Sequence, residues 1–169
     1  MNTESFDSRK IFNERTIWLY EDNEKFMLNC KLEYFQASGP GGQKRNRKYS
    51  AVRITHFPTA LSAESCATRS QNSNKKDAIH KIKMQIATTF AGPQINFYNH
   101  NISESNNLYP LWLAMLFDLF FKYNFETKEA ANELGISNSK LIKIIAKSSF
   151  AWKNLNYYRQ NFGLSPLHL

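Results

Sequence analysis

The chain has 169 residues and a formal net charge of +8, and 42% of its residues are hydrophobic and 14% aromatic. This composition excludes an intrinsically disordered protein and allows one or two small domains with cores of their own. The most apolar stretch, residues 111–121, is interrupted by Asp118 and is too short to cross a bilayer. Acidic residues near the N-terminus argue against a transit peptide, so we expect a cytoplasmic protein that has no membrane partner.

The positive charge is concentrated in one part of the chain. Residues 36–86 contain ten Lys/Arg and two Asp/Glu, residues 1–35 contain five and seven, and residues 87–169 contain seven and five. Such a block is either a solvated surface or a nucleic-acid interface, and charge alone does not decide between them. Cys30 and Cys66 lack metal-ligand spacing and suit a reducing compartment as packing residues, so we predict neither a metal nor a cofactor.

The N-terminal elements alternate between helix and strand. Residues 1–20 show no clear pattern and are expected to be a loose arm, and Asp22 is expected to cap a short helix that ends near Cys30. Strands are predicted over 31–35, over 52–56 and, more weakly, over 61–67. In the second of these, Val52, Ile54 and His56 alternate with polar residues and should share one buried face.

A longer helix is predicted from Asn74 to about Phe90. Apolar residues recur in it at helical spacing, at Ala78, Ile79, Ile82 and Ile86, whereas Lys75, Lys76, His80 and Lys83 lie mostly off that stripe. The predicted fold class is therefore α+β: a small, mostly antiparallel sheet with a packed helix and a loop that projects between two strands.

The C-terminal part changes to an all-helical pattern. Residues 92–107 are polar and read as a linker, and helices are predicted over 109–123, 127–134, 138–147 and 150–161, with Pro110 in the first turn of the first one. We therefore predict a first domain with an N-terminal arm over residues 1–91, a linker over 92–107 and a helical docking module over 108–169.

The helical segment also has the spacing of a helix-turn-helix. Ala131 permits close helix crossing, Gly135 can make the turn, and Ser137 can cap the second helix. The pattern fits a nucleic-acid-binding motif that uses Lys140, Lys143 and Lys147, and it also fits a plain helical hairpin. The large aromatic residues of this part are expected in its core: Trp112, Phe117, Phe120, Phe121 and Trp152.

The most informative segment is a glycine-rich run, residues 38–43, followed at once by a basic run. Gly41 and Gly42 lack a Cβ, so the backbone can adopt positive φ and approach a ligand closely. Pro40 limits the conformations of the run. The cations that follow can neutralise phosphates.

This segment resembles the GGQ loop of class I peptide chain release factors and of the stand-alone ribosome-rescue hydrolases related to them. The resemblance runs from about Phe26 to Ile86 and includes Asn46, residues 50–56, Pro58 and Thr59, residues 69–71, and Asn74 with Lys75. It implies the same fold, and it implies hydrolysis of the ester between nascent peptide and tRNA in the ribosomal peptidyl transferase centre. Gly41, Gly42 and Gln43 would then be catalytic, with the Gln43 N–H directed at developing charge and its side chain shaping the site of the water.

The resemblance also implies partners and RNA contacts. The partners are the ribosome, through its large-subunit RNA, and peptidyl-tRNA, together with a glutamine methyltransferase that acts on Gln43. The expected RNA-binding residues are Lys44, Arg45, Asn46, Arg47 and Lys48 beside the loop, and Arg69, Lys75 and Lys76 in a second basic motif. Asn46 can equally brace the loop.

The sequence departs from the family pattern in three places. Arg47 stands where lysine is common, Ala60 and Leu61 rather than a glycine follow Thr59, and no long N-terminal portion provides a stop-codon-reading domain. The expected activity is therefore codon-independent peptidyl-tRNA hydrolysis in the rescue of stalled ribosomes. The alternatives are a non-catalytic RNA- or ribosome-binding adaptor that retains the fold, and a DNA-binding regulator, which would leave residues 38–75 unexplained.

Overall fold

A computed structural model describes residues 8–36, 49–92 and 102–168. The chain divides into two compact units, Met1–Ile86 and Ala87–Leu169. The elements, in chain order, are α1 (Ser8–Tyr20), α2 (Asn23–Met27), β1 (Cys30–Phe35), β2 (Ala51–His56), β3 (Ser62–Ser65), α3 (Gln71–Thr89), α4 (Tyr109–Lys122), α5 (Thr127–Glu133), α6 (Asn138–Ile145) and α7 (Ser149–Asn161). Within these ranges, no helix combines the length and apolar character that a membrane span requires.

The first unit is built on a three-stranded antiparallel sheet in the order β1-β2-β3, which confirms the predicted fold class. The register places Leu32 opposite Ile54 and Ile54 opposite Ala63. Val52, Ile54 and His56 are fully buried, as their alternation predicts, because side chains two residues apart share one face of a strand.

Helix α3 supplies the apolar face predicted for it, with Ala78, Ile79, Ile82 and Ile86 buried. It begins at Gln71, three residues before the predicted start at Asn74. The prediction that Lys83 lies off the buried stripe is wrong, because only 6% of this residue is exposed. Its Nζ donates to the Glu21 carbonyl oxygen at 2.5 Å, and its ammonium lies 5.0 Å from the centre of the Phe26 ring.

Residues 8–20 form helix α1, and the expectation of a loose arm is wrong for them. The helix buries Ile11, Arg15, Trp18 and Leu19, which recur at helical spacing. Because one of these buried residues is an arginine, the spacing of apolar residues alone does not reveal that α1 is amphipathic. The cap predicted for α2 is confirmed, since Asp22 Oδ1 accepts the Lys25 backbone N–H at 2.9 Å.

The two cysteines differ in environment. Cys30 is partly buried and its Sγ donates to the Phe26 carbonyl oxygen at 3.4 Å, whereas Cys66 is exposed, against the expectation that both are packing residues. Burial raises the pKa of the Cys30 thiol to about 12, so it stays protonated at neutral pH.

The second unit packs around α4, which is buried along most of its length. Trp112, Phe117 and Phe120 lie in this core as predicted, whereas Phe121 and Trp152 are partly exposed. Phe125 is fully buried at a φ of 63° in the turn after α4, and its ring stacks on Tyr158 with 4.8 Å between centroids. Arg159 fixes this turn by donating from Nη1 to the Phe125 carbonyl oxygen at 2.7 Å.

Candidate active site

The catalytic residues predicted from the sequence, Gly41, Gly42 and Gln43, lie outside the described residues, as do Lys44, Arg45, Asn46, Arg47 and Lys48. The structure shows where this segment is attached. Phe35 and Ala51 are paired at one end of the β1–β2 ladder. Residues 37–48 therefore connect two adjacent antiparallel strands, and we refer to the paired strand ends with Tyr49 and Ser50 as the stem of the loop.

Asn74 is the centre of the hydrogen bonds that hold the stem. Its side chain is fully buried, and Nδ2 donates to the Ser50 carbonyl oxygen at 2.7 Å and to the Thr68 carbonyl oxygen at 2.9 Å. Its Oδ1 accepts the Thr68 backbone N–H at 2.9 Å and the Thr68 hydroxyl at 3.2 Å. One amide thus joins the end of the loop to the turn between β3 and α3.

The residues before Asn74 complete this attachment. Ser70 Oγ accepts the Ser73 backbone N–H at 3.2 Å, which is the hydrogen bond of a helix N-cap. Gln71 Nε2 donates to the Tyr49 carbonyl oxygen at 2.5 Å. Two adjacent stem carbonyls, those of Tyr49 and Ser50, are therefore each held by a side-chain amide from α3.

The other side of the stem is held across the exposed face of the sheet. The Arg53 guanidinium lies 5.1 Å from the centre of the Phe35 ring, and its Nε is 2.6 Å from Glu64 Oε1. This contact links the last residue of β1 to β2 and β3. Because both charged side chains are exposed, the ion pair adds little stability.

Only part of the basic block is available to a ligand. Arg69 and Lys76 are exposed, Lys75 is half-buried, and within the described ranges none of the three forms an ion pair. Arg69 lies two residues before Gln71, whose side chain donates to the stem. By contrast, Lys83 is buried, and burial lowers its pKa against the opposing effect of Glu21 and Asp22.

The buried histidine of β2 is not part of the candidate site. His56 pairs with Cys30 at the opposite end of the ladder from Phe35 and Ala51, about 17 Å away at 3.3 Å per residue. Its ring stacks on Phe26 with 5.1 Å between centroids, and burial lowers its pKa to about 4. No group of His, Cys, Asp or Glu side chains suited to a metal ion occurs in residues 8–36, 49–92 and 102–168.

Comparison with known proteins identifies the domain that carries this stem. Residues 27–106 match the RF-1 domain. The match covers a little under half of the chain. The chain is 45% identical over 58 residues to peptide chain release factor 1 of Xylella fastidiosa, and equally so to peptide chain release factor 2 of Helicobacter pylori and of Campylobacter jejuni. Each alignment covers 34% of this chain and 16% of the relative.

The matched residues include the run from Gly41 to Gln43, so the resemblance to class I peptide chain release factors is confirmed for this part of the chain, while the resemblance to stand-alone rescue hydrolases stays a prediction. Sequence reasoning recognised residues 69–71 and Asn74 as matching positions but gave Gln71 and Asn74 no role. The signal available was their residue type, since amide side chains both donate and accept and can therefore join two backbone segments.

Proposed function

We propose that this chain hydrolyses the ester bond between the nascent peptide and tRNA on the ribosome, without reading a codon, in the rescue of stalled ribosomes or large subunits. The RF-1 match over residues 27–106 carries the proposal, because it includes the Gly41–Gln43 run at the end of a braced strand pair. The site would act on cytoplasmic ribosomes, with peptidyl-tRNA as substrate.

In this reaction a water attacks the ester carbonyl, and the peptide carboxylate and the free ribose hydroxyl of the tRNA are the products. The Gln43 backbone N–H is proposed to stabilise the negative charge that develops in the transition state, while its side chain shapes the site of the water. Gly41 and Gly42 allow the backbone to approach the ester. The stem bonds from Gln71 and Asn74 support this assignment, because holding a reactive group in place removes part of the entropic barrier.

The remaining assignments rest on the same match. The chain spans 16% of the length of the release factors it matches, so the shared part supplies the hydrolytic loop and gives no ground for assigning codon reading. Arg69, Lys75 and Lys76, together with the basic run 44–48, are proposed to contact ribosomal RNA. Gln43 is the position that a glutamine methyltransferase would modify, and the second unit is proposed to dock the catalytic domain on its target.

The test is a peptide-release assay on ribosomes that hold peptidyl-tRNA and display a stop codon, a sense codon or no codon. We expect similar release in all three cases, because the assigned machinery reads no base. A preference of tenfold or more for the stop codon, about 1.4 kcal/mol, would contradict codon independence.

The catalytic assignment is tested in the same assay with Gln43→Ala and Gly42→Ala. Both variants should bind ribosomes as the unmodified chain does and lose release, whereas Gln36→Ala, an exposed glutamine just before the loop, should leave release unchanged. An unmodified chain that binds ribosomes and releases no peptide would instead support the non-catalytic adaptor.

A further inference from the structure

The second unit contains a helix-turn-helix whose geometry fixes the orientation of α6. Gly135 adopts a φ of 64° after α5, and the Ile136 N–H donates to the Ala131 carbonyl oxygen at 3.1 Å. Ser137 Oγ then accepts the Lys140 backbone N–H at 3.2 Å and caps α6. Leu141 and Ile145 are buried, so one face of α6 is committed to the core of the unit.

The fully exposed residues between positions 137 and 147 are serines and lysines, whereas Ile142 and Ile144 are partly exposed. Lys140 and Lys143 lie three residues apart on one side of α6, and the exposed Lys147 follows in the turn after Ile145. We call this set the α6 lysine face.

Charge in this unit is separated along the chain. All five of its acidic residues precede position 134, and residues 134–169 contain five Lys/Arg and no Asp or Glu. Glu133, the acid closest in sequence, is held by Lys122 at 2.6 Å and by the Tyr123 hydroxyl. Arg159 is turned inward to the Phe125 and Ser165 carbonyl oxygens. The exposed positive charge of this part therefore belongs to lysines, and three of the four lie on the α6 lysine face.

The chemistry of this face favours a polyanion over the other partners that bind cationic helices. A membrane surface would need an apolar stripe to insert, and Leu141 and Ile145 are buried in the unit. A protein interface would be centred on an aromatic or other large anchor, and α6 contains no aromatic residue. A cluster of exposed lysines matches the closely spaced phosphates of a nucleic-acid backbone, which it can contact whatever the base sequence.

We infer that the α6 lysine face binds the phosphate backbone of structured RNA, and that through it the second unit holds the protein on its target. The choice of RNA rests on the proposed function, which places the chain on the ribosome. The contact is electrostatic and has no sequence preference, because lysine ammonium groups contact phosphates as point charges.

The test compares the full chain with the triple variant Lys140→Gln/Lys143→Gln/Lys147→Gln. The probe is a labelled RNA duplex, titrated between 50 and 200 mM salt, and purified large subunits serve as a second probe. Three lost phosphate contacts should lower the slope of log affinity against log salt by about 3, so that over this range the unmodified chain loses about 40-fold more affinity than the variant. The cations of the first unit are the same in both proteins, so this difference belongs to the α6 lysine face.

Two variants serve as controls. Lys31→Gln/Lys81→Gln/Lys128→Gln removes the same charge from two exposed lysines and the half-buried Lys81, and should keep the unmodified slope; Lys31 and Lys81 pair with carboxylates. The variant Lys140→Arg/Lys143→Arg/Lys147→Arg keeps the charge and should keep binding, which separates loss of contact from loss of folding.

Four results would overturn the inference. The first two are an unchanged salt slope in the glutamine variant and an equal decrease of the slope in the charge-matched control. The third is a larger decrease of the slope for a DNA duplex of the same sequence than for the RNA duplex. The fourth is weaker binding of the glutamine variant to polyglutamate with no change in its binding to RNA. None of these readouts depends on peptide release, so a protein that releases no peptide can still satisfy the inference, and an active hydrolase can still fail it.

Discussion

Replacing Asn74 with alanine should loosen the first unit and its loop stem together. The substitution removes two donated bonds, to the Ser50 and Thr68 carbonyl oxygens, and the bonds that Oδ1 accepts from Thr68. At about 1 kcal/mol for each of the three shorter bonds, the free energy of unfolding should fall by about 3 kcal/mol, and by more if the buried partners stay unpaired. This is a large fraction of the total stability of a small domain.

Hydrogen exchange of the β2 amides reports this loss for the first unit specifically. A decrease of 3 kcal/mol should speed their exchange about a hundredfold. Asn72→Ala is the matched control, because Asn72 lies on the same helix and is exposed. If both variants exchange the β2 amides at the same rate, the bracing role of Asn74 is wrong.

Asn74→Asp separates the two halves of this network. The aspartate keeps an acceptor for the Thr68 N–H but loses the donor to Ser50, and it places negative charge beside a carbonyl oxygen. We expect its peptide-release rate, measured where the protein is folded, to fall at least tenfold, close to that of Asn74→Ala, since misplacement by about 1 Å can cost as much as a hundredfold. Normal release by Asn74→Asp would show that the bond to Ser50 does not position the loop.

Two further perturbations test the cores of the units. Burial lowers the pKa of His56 from 6.5 to about 4, so between these pH values the unfolded chain binds a proton that the folded protein does not. The free energy of unfolding, measured by urea titration, should therefore fall by up to about 3 kcal/mol as the pH is lowered from 6.5 to 4. His56→Asn should flatten this dependence on pH. Arg159→Met leaves the Phe125 carbonyl oxygen without its donor and should destabilise the second unit by about 2–3 kcal/mol, measured by thermal unfolding. The control, Lys153→Met on the exposed side of α7, should change stability by less than about 0.5 kcal/mol.

Features that depend on a few neighbouring residues could be read from the sequence. The alternation of Val52, Ile54 and His56 predicted a strand with one buried face, and Asp22 and Ser137 were recognised as helix caps, because pleating and capping act over two to four residues. The Gly41–Gln43 run and the residues that follow it carried the resemblance to class I peptide chain release factors, and the RF-1 match over residues 27–106 supports that resemblance.

Features that depend on distant residues were decided only by the tertiary structure. Lys83 was predicted to lie off the buried stripe, yet it is buried, and its Nζ donates a hydrogen bond to the carbonyl oxygen of Glu21, 62 residues away in the chain. Asn74 looked like the start of a helix, yet its amide joins Ser50 to Thr68. Residues 8–20 looked unpatterned because Arg15 is buried among apolar residues. A polar side chain is buried where the fold brings it a partner, and spacing along the sequence does not specify that partner.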